Sequence, residues 1–183
     1  SQSEVSQYRF LHDRVQQVIY SLIDEKERKK KHQFIGRLLL QYKAGDDLDE
    51  NILLIMDHFS RSLELFSKPE ERLMIARYGL MAGRKARNSA AYISALQYFR
   101  IGKSMLDDTS WDNEYSLTYD LYLEMAQAEF MSANVDAAEI LFDTVIEKGE
   151  SEVERATVYG LKVILYASVG EYDEAIKTGI TAL

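Results

Sequence analysis

The stretch 119–148, YDLYLEMAQAEFMSANVDAAEILFDTVIEK, has the pattern of two helices joined by a tight turn at residues 133–136. The pattern returns further along the chain, where Ala175 stands 37 residues after Ala138. A unit of two helices that repeats every ~34–47 residues is typical of an α-solenoid. In such a fold each helix pair buries its apolar face only by stacking on its neighbours. The sequence therefore predicts an all-α superhelix, a solenoid of antiparallel helix pairs.

Apolar residues recur at three- and four-residue steps along most of the chain, which predicts about eight or nine helices. No run of four to eight β-branched residues lies between turn signals, so no strand is predicted. We expect residues 1–66 to form N-terminal helices and residues 67–183 to form degenerate repeats, at about 76–106, 119–148 and 156–183. Together these segments are predicted to make one continuous solenoid.

Three local signals place helix boundaries. Ser67 is suited to capping a helix and Pro69 is tolerated in a first turn, so a helix is predicted to start there. Asn134 suits the left-handed conformation that ends a helix. Asp136 and Glu139 are expected to form the capping pair of the next helix.

The composition excludes several classes of function. The 183 residues include no cysteine, so there is no disulfide framework, thiol nucleophile or thiolate metal site. The formal charge of −8 disfavours nucleic-acid binding, which needs a basic face. No apolar run approaches the ~20 residues that span a bilayer, so membrane insertion is not expected. The chain does not begin with Met, and we expect it to be a section of a longer, cytoplasmic protein.

Small residues line one side of the helix predicted after Pro69. Gly79 and Gly83, with Ala76, Ala82 and Ala86, are expected to let neighbouring helices approach closely. A phosphate-binding loop is the alternative interpretation of the glycines. It fails because no strand precedes them and no Gly-Lys-Ser/Thr follows.

The repeats resemble tetratricopeptide repeats, in which small residues precede the turn and an alternation of aromatic residues and alanine follows it. The matching residues are Tyr92, Ala95 and Phe99 in the earliest repeat, Tyr122, Ala126, Ala138 and Phe142 in the second, and Tyr166, Gly170, Tyr172, Ala175 and Ala182 in the third. There are departures: Glu129 stands where an aromatic is usual, Gly179 replaces the second-helix aromatic, and no repeat has the terminal proline. The resemblance implies a binding or coupling module.

A second resemblance covers nearly the whole chain. It rests on YRFLHDRVQQ (8–17), IGRLL (35–39), DHF (57–59), AGRKA (82–86) and SAAY (89–92). These segments are similar to the helical region that follows the AAA-type ATPase module in large bacterial signalling proteins with serine/threonine-kinase-like, GAF and histidine-kinase domains. The resemblance implies that residues 10–13 belong to the tail of a winged-helix part of the ATPase module. The repeats would then link the ATPase to the sensor kinase.

Candidate catalytic residues are sparse. His12-Asp13 has the composition of a metal phosphohydrolase ligand pair, but the only other histidines are His32 and His58, so a structural role is favoured. Asp/Glu pairs such as Asp46-Asp47 fall in predicted loops and lack the contrasting environments of an acid/base pair. We expect no catalytic, cofactor or metal site in this chain.

One surface is predicted to bind a partner. Its members on the helix predicted after Pro69 are Arg77, Leu80, Arg84 and Arg87. Its members on the first helix of the 119–148 repeat are Asp120, Leu123, Gln127 and Phe130. The arginines form a positive stripe in an acidic chain, which suits an acidic peptide or the helix of another domain. Alternatively they pair with neighbouring Glu on the surface, where each pair contributes only ~0–1 kcal/mol. If the groove binds a partner, reversing the charge of Arg84 and Arg87 should weaken binding and spare the melting temperature.

These observations favour a non-catalytic scaffold that couples an ATPase module to signalling output through protein contacts. The alternative is the sensor domain of an ATPase-linked transcription regulator, whose repeat arms this chain resembles. Such a domain would bind a small effector molecule in a pocket bordered by the small-residue face at residues 79–91. An enzyme is disfavoured, because no nucleophile–base or metal set is apparent.

Overall fold

The computed structural model describes residue 18, residues 20–43 and residues 48–182. Every regular element in these ranges is a helix, and they contain no β-strand, which confirms the predicted all-α fold. In chain order the helices are α1 (Glu25–Lys43), α2 (Leu48–Ser60), α3 (Pro69–Asn88), α4 (Tyr92–Ser104), the one-turn α5 (Ser110–Asn113), α6 (Tyr115–Met131), α7 (Val135–Lys148), α8 (Glu152–Ser168) and α9 (Tyr172–Thr181). The segment 8–17, including His12 and Asp13, lies outside the described residues.

The helices form a stack of pairs. The pairs α1/α2, α3/α4, α6/α7 and α8/α9 each pack closely along their length. Successive pairs then contact each other, α2 against α3, α4 and α3 against α6, and α7 against α8. A helix with an apolar stripe needs a second surface to cover it, and here the neighbouring layer supplies that surface. The result is an all-α superhelix.

The same turn joins the two helices of the last three pairs. In each turn one residue is left-handed: Ala90 (φ 58°), Ala133 (φ 62°) and Gly170 (φ 86°). The following amide donates a hydrogen bond to the carbonyl five residues earlier, from Ala91 to Ala86 (2.9 Å), from Asn134 to Glu129 (2.9 Å) and from Glu171 to Tyr166 (3.0 Å). This is the Schellman arrangement that closes a helix end. In each pair an alanine stands five residues after the left-handed residue: Ala95, Ala138 and Ala175.

At the turn between α6 and α7, the residues singled out by the sequence have roles other than the predicted ones. The left-handed residue is Ala133 rather than Asn134, which precedes α7 and makes no side-chain cap bond. The Asn134 side chain instead donates to Glu129 Oε2 at 2.8 Å. Asp136 and Glu139 do not cap α7, because this helix already begins at Val135. The prediction followed the general preference of Asn for left-handed backbone, whereas here a nearby carboxylate engages its amide.

The residues that cap the helix starts also differ from those predicted. Pro69 is the first residue of α3, as predicted, but Ser67 makes no cap bond and the position before the helix is Lys68. The complete capping box lies at α8, where Glu154 N donates to Ser151 Oγ at 3.1 Å and Ser151 N donates to Glu154 Oε2 at 3.0 Å. Burial raises the pKa of Glu154, but hydrogen bonds from Tyr115 and Ser151 outweigh it and lower the pKa below its usual value. Tyr115 Oη donates to this carboxylate at 3.0 Å and so joins α6 to α8.

The small residues of α3 lie against α4, as predicted. A Cβ on Gly79 would stand 2.8 Å from Tyr98 O and 2.9 Å from the Gly102 backbone, so the two helices meet backbone to backbone. A Cβ on Gly83 would lie 2.2 Å from the Phe99 ring. The close approach leaves no open space at these glycines, so no small-molecule pocket borders Gly79 or Gly83.

We predict that Gly79→Ala lowers the free energy of unfolding by about 1–3 kcal/mol, because the new methyl group meets backbone atoms that cannot rotate away. The matched control is Gly160→Ala in α8, where an added Cβ has no atom within 4 Å. That change should raise the free energy of unfolding by about 0.5–1 kcal/mol, since alanine is the better helix former. Chemical denaturation measures both. Equal effects at the two glycines would contradict the backbone contact.

Candidate protein-interaction surface

Arginines on α3 meet carboxylates on α6. Arg84 Nη2 lies 2.9 Å from Asp120 Oδ2, and its Nε lies 2.7 Å from Glu124 Oε1. Arg87 Nη1 lies 2.7 Å from Glu124 Oε2 and donates to Gln127 Oε1 at 3.1 Å. These contacts cross from one layer to the next, between residues about 40 positions apart. We call this set, with Arg77 and Glu114, the α3–α6 ladder.

The ladder has a buried and an exposed part. The Glu124 side chain is only 9% exposed, and both of its carboxylate oxygens lie against arginines. The contact with Arg87 is an ion pair without the alignment of a hydrogen bond. At the exposed end, Arg77 Nη2 lies 3.2 Å from Glu114 Oε2, and the Arg77 side chain is 59% exposed. The ladder therefore fixes the orientation of two layers and still presents arginine to solvent.

The eight residues predicted to bind a partner divide into two groups. Arg77, Arg84, Arg87, Asp120, Leu123 and Gln127 lie on the neighbouring faces of α3 and α6 and are at least partly exposed. Leu80 and Phe130 are buried, so they contribute to the core. The Phe130 ring packs edge to face on Tyr166 with ring centroids 5.5 Å apart. Whether the exposed six bind a partner stays a prediction.

The charges differ from those of the expected positive stripe. Glu114, Asp120 and Glu124 stand opposite the three arginines and balance them. Burial lowers the pKa of the Arg84 guanidinium, but Glu124 and Asp120 outweigh it and raise the pKa above its usual value. Reversing Arg84 and Arg87 to glutamate would place two further carboxylates beside Asp120 and the buried Glu124. The expectation that this change spares the melting temperature is therefore revised, because the two arginines stabilise the fold.

A second buried carboxylate joins α4 to α6. Glu129 is 3% exposed, and its Oε1 accepts a hydrogen bond from Arg100 Nη2 at 2.6 Å. Asn134 donates to the other oxygen, as described above. The sequence marked Glu129 as a departure from the repeat motif without identifying its partner. A lone carboxylate at a predicted core position is the signal from which a buried ion pair could have been predicted.

The α7–α8 boundary has the opposite arrangement, with a buried lysine. Lys162 is 8% exposed, and its Nζ lies 2.5 Å from Glu139 Oε2 and 3.5 Å from Asp143 Oδ1. Tyr166 Oη donates to the second oxygen of Glu139. Burial and the Glu139 carboxylate raise the pKa of Tyr166 well above its usual range. Sequence analysis missed this cluster, although Lys162 stands alone in the apolar run Val158–Leu165.

Surface clefts lie near the turns and helix ends. One of about 350 Å³ is lined by the start of α3, by the segment that follows α4 and by α5, and it includes Leu73, Met105 and Leu106. Another of about 360 Å³ lies beside the turn between α3 and α4. It is lined by residues 90–94 and by Met131 and Ser132. The expected pocket is thus absent at Gly79 and Gly83, but a cleft does lie beside Ala90 and Ala91. Both volumes fall within the range of small-molecule sites, ~300–1,000 Å³.

Histidine and acidic side chains are the candidate metal ligands of this chain. Across residues 18, 20–43 and 48–182, no group of three or more His, Asp or Glu side chains is placed to hold a metal ion. His32 and His58 approach each other, with 2.9 Å between their Nδ1 atoms, and Tyr20 Oη lies 2.7 Å from His32 Nε2. Burial and the neighbouring His58 lower the pKa of His32.

None of the helices in residues 20–43 and 48–182 combines the length and the apolar character that a membrane-spanning helix needs.

The chain matches no described protein family, and no solved structure is significantly similar to it. It is similar to the hybrid signal transduction histidine kinase G of Dictyostelium discoideum, with 28% identity over 207 residues. The match covers 100% of this chain and 6% of that kinase. The similarity therefore links the chain to a small region of a signalling protein. The tetratricopeptide-like repeats, the ATPase context and the bacterial origin stay predictions.

We predict that Arg84→Met with Arg87→Met lowers the free energy of unfolding by about 3–5 kcal/mol, because it leaves the Glu124 carboxylate buried and unpaired. Adding Glu124→Met should recover most of that loss, since an apolar replacement of a buried ion pair is often neutral or stabilising. Arg77→Met, at the exposed end of the ladder, should cost about 0–1 kcal/mol. Denaturant unfolding of the variants measures these values. A triple variant no more stable than the double would show that the ladder does not act through Glu124.

Proposed function

We propose that this chain is a non-catalytic helical scaffold that couples domains of a signalling protein through protein contacts. The observation that carries the proposal is the α3–α6 ladder, which spans two layers and holds exposed arginine in a fixed orientation. Side chains that are already ordered in the free protein lose less conformational entropy when a partner binds. Similarity to a region of a histidine kinase supports the signalling context.

The partner that this surface suits is an acidic protein segment. A guanidinium carries five N–H donors and binds carboxylates in bidentate fashion. The ladder contacts of Arg84 use its Nε and Nη2, which leaves donors for a further carboxylate. The Arg84 side chain is 42% exposed, so an incoming carboxylate can reach it. In this proposal the segment belongs to another domain of the same longer polypeptide.

The setting of the scaffold is also part of the proposal. The recurring turn and the alanine spacing support repeats of the tetratricopeptide type. The resemblance of segments 35–39, 57–59 and 82–86 to the arm after an AAA-type ATPase module supports a position between an ATPase and a sensor kinase, in a cytoplasmic protein. A stack of helix pairs suits this position, because each pair contacts only its neighbours and the stack presents an extended surface to other domains.

The test is site-specific photocrosslinking in the full-length protein. A photoreactive residue at Gln127 should crosslink to another domain, because Gln127 lies at the Arg87 end of the ladder and is partly exposed. The same residue at Ile140, which is 69% exposed on α7, is the control and should not crosslink to that domain. Arg77→Glu should reduce the Gln127 crosslink at least about tenfold, as expected for loss of a charge-assisted contact of ~1.5–3 kcal/mol.

Arg77→Glu should leave the melting temperature nearly unchanged, because Arg77 contributes only an exposed ion pair. A crosslink that is equally strong from Ile140, or that persists undiminished in the Arg77→Glu protein, would contradict a ladder-directed contact.

A second candidate function is a sensor of a small effector. The observation that favours it is the cleft of about 360 Å³ beside the turn between α3 and α4. A ligand that binds only the folded state raises stability by RT ln(1 + [L]/Kd), about 2.7 kcal/mol at a hundredfold excess over Kd. We predict that an effector of this site raises the melting temperature in a saturable way, and that Ala91→Trp, which fills the cleft, abolishes the shift. If Ala91→Trp leaves the shift unchanged, this cleft is not the site.

A further inference from the structure

The outer face of the last described helix is apolar and uncovered. Along α9, Tyr172, Ile176 and Ile180 follow each other at four-residue steps, which places them on one face. The three side chains are 65%, 63% and 67% exposed. In a stacked-repeat protein a terminal layer that faces water needs a polar outer surface. This face has the character of an internal layer.

The corresponding positions in the two preceding pairs contact the next pair, although Asp143 and Arg100 among them keep exposed side chains. Ile176 and Ile180 stand 37 residues after Glu139 and Asp143 of α7, the offset that separates Ala175 from Ala138. In α7 these positions contact Lys162 in the first helix of the next pair.

One pair earlier, the same positions are Leu96 and Arg100 of α4. Leu96 is buried, and Arg100 forms its ion pair with Glu129 in α6. In both earlier pairs, therefore, this register of the second helix receives the first helix of the following pair.

We propose that the face formed by Tyr172, Ile176 and Ile180 is a stacking surface that receives the first helix of a further helix pair, located after Leu183 in the same longer polypeptide. Continuity with the two earlier layer boundaries argues for this occupant, because the same register is used each time. The similar histidine kinase is far longer than this chain, which covers 6% of it. A second copy of the chain is the competing occupant.

The chemistry of the occupant follows from the side chains it must cover. At the two earlier boundaries the facing residues include a charged member, Glu129 or Lys162, that pairs with a charge on the preceding helix. Ile176 and Ile180 offer no charge, and burying an unpaired charge against them would be costly. The helix that covers them therefore presents apolar side chains at the positions that match Lys162 and Tyr166.

The test compares the 183-residue chain with a natural polypeptide extended by about 45 residues, the length of one further repeat. Ile176→Glu with Ile180→Lys should change the melting temperature of the 183-residue chain by less than about 2 °C, because both side chains are already exposed. In the extended chain the same change should lower it by more than about 5 °C. Ile140→Lys is the control and should be neutral in both.

Three results would overturn the proposal. The first is an equal effect of the double substitution in the two chains. The second is sedimentation of the 183-residue chain as a dimer that the double substitution dissociates, which would assign the face to a second copy. The third is a reading frame with no further helix pair after Leu183. None of these results would bear on the α3–α6 ladder, so the scaffold proposal is tested separately.

Discussion

The backbone contact between Gly79 in α3 and Gly102 in α4 is the constraint on which the stack depends. A Cβ at Gly102 would stand 2.9 Å from Leu121 of α6 and 3.1 Å from the Ala76 carbonyl of α3. Three helices from two layers therefore converge on one residue without a side chain. Because the helices are this close, the aromatic ring of Phe99 lies directly on Gly83, and the arginines of α3 reach across to α6. The close packing of α3 on α4 thus sets how near α6 of the next layer lies to both helices.

Charges then specify how the layers sit on one another. Each boundary from α3 to α8 contains a nearly buried ionised side chain with a partner from the adjoining layer: Glu124, Glu129 or Lys162. A buried ion pair adds little net stability, but a misaligned one leaves an unpaired charge at a cost of several kcal/mol. Sliding one layer by a helical turn would separate each pair. Apolar contacts accordingly supply the adhesion, whereas the ion pairs favour one register of the layers.

The sequence predicted the architecture because periodicity and spacing are local. The alanine offset, the start of α3 at Pro69 and the small-residue face of Gly79 and Gly83 all follow from neighbouring residues, and the structure has them. The partners of charged residues are not local: Arg84 and Glu124 are 40 positions apart, and they meet only because the turn at Ala90 and the crossing at Gly102 bring α3 to α6. Competition between side-chain roles explains the remaining differences. Asn134 was assigned to the left-handed position on general preference, and the buried Glu129 engages its amide instead.

These helices form a one-dimensional stack, in which each layer is stabilised by its immediate neighbours. Native-state hydrogen exchange can test this arrangement, since it reports the opening free energy of each helix separately. We expect a gradient, with the slowest exchange in α3, α4 and α6, which have layers on both sides, and progressively faster exchange through α8 to α9. Uniform protection in all helices, with a single opening free energy equal to that of global unfolding, would show one closed globule and contradict the stack.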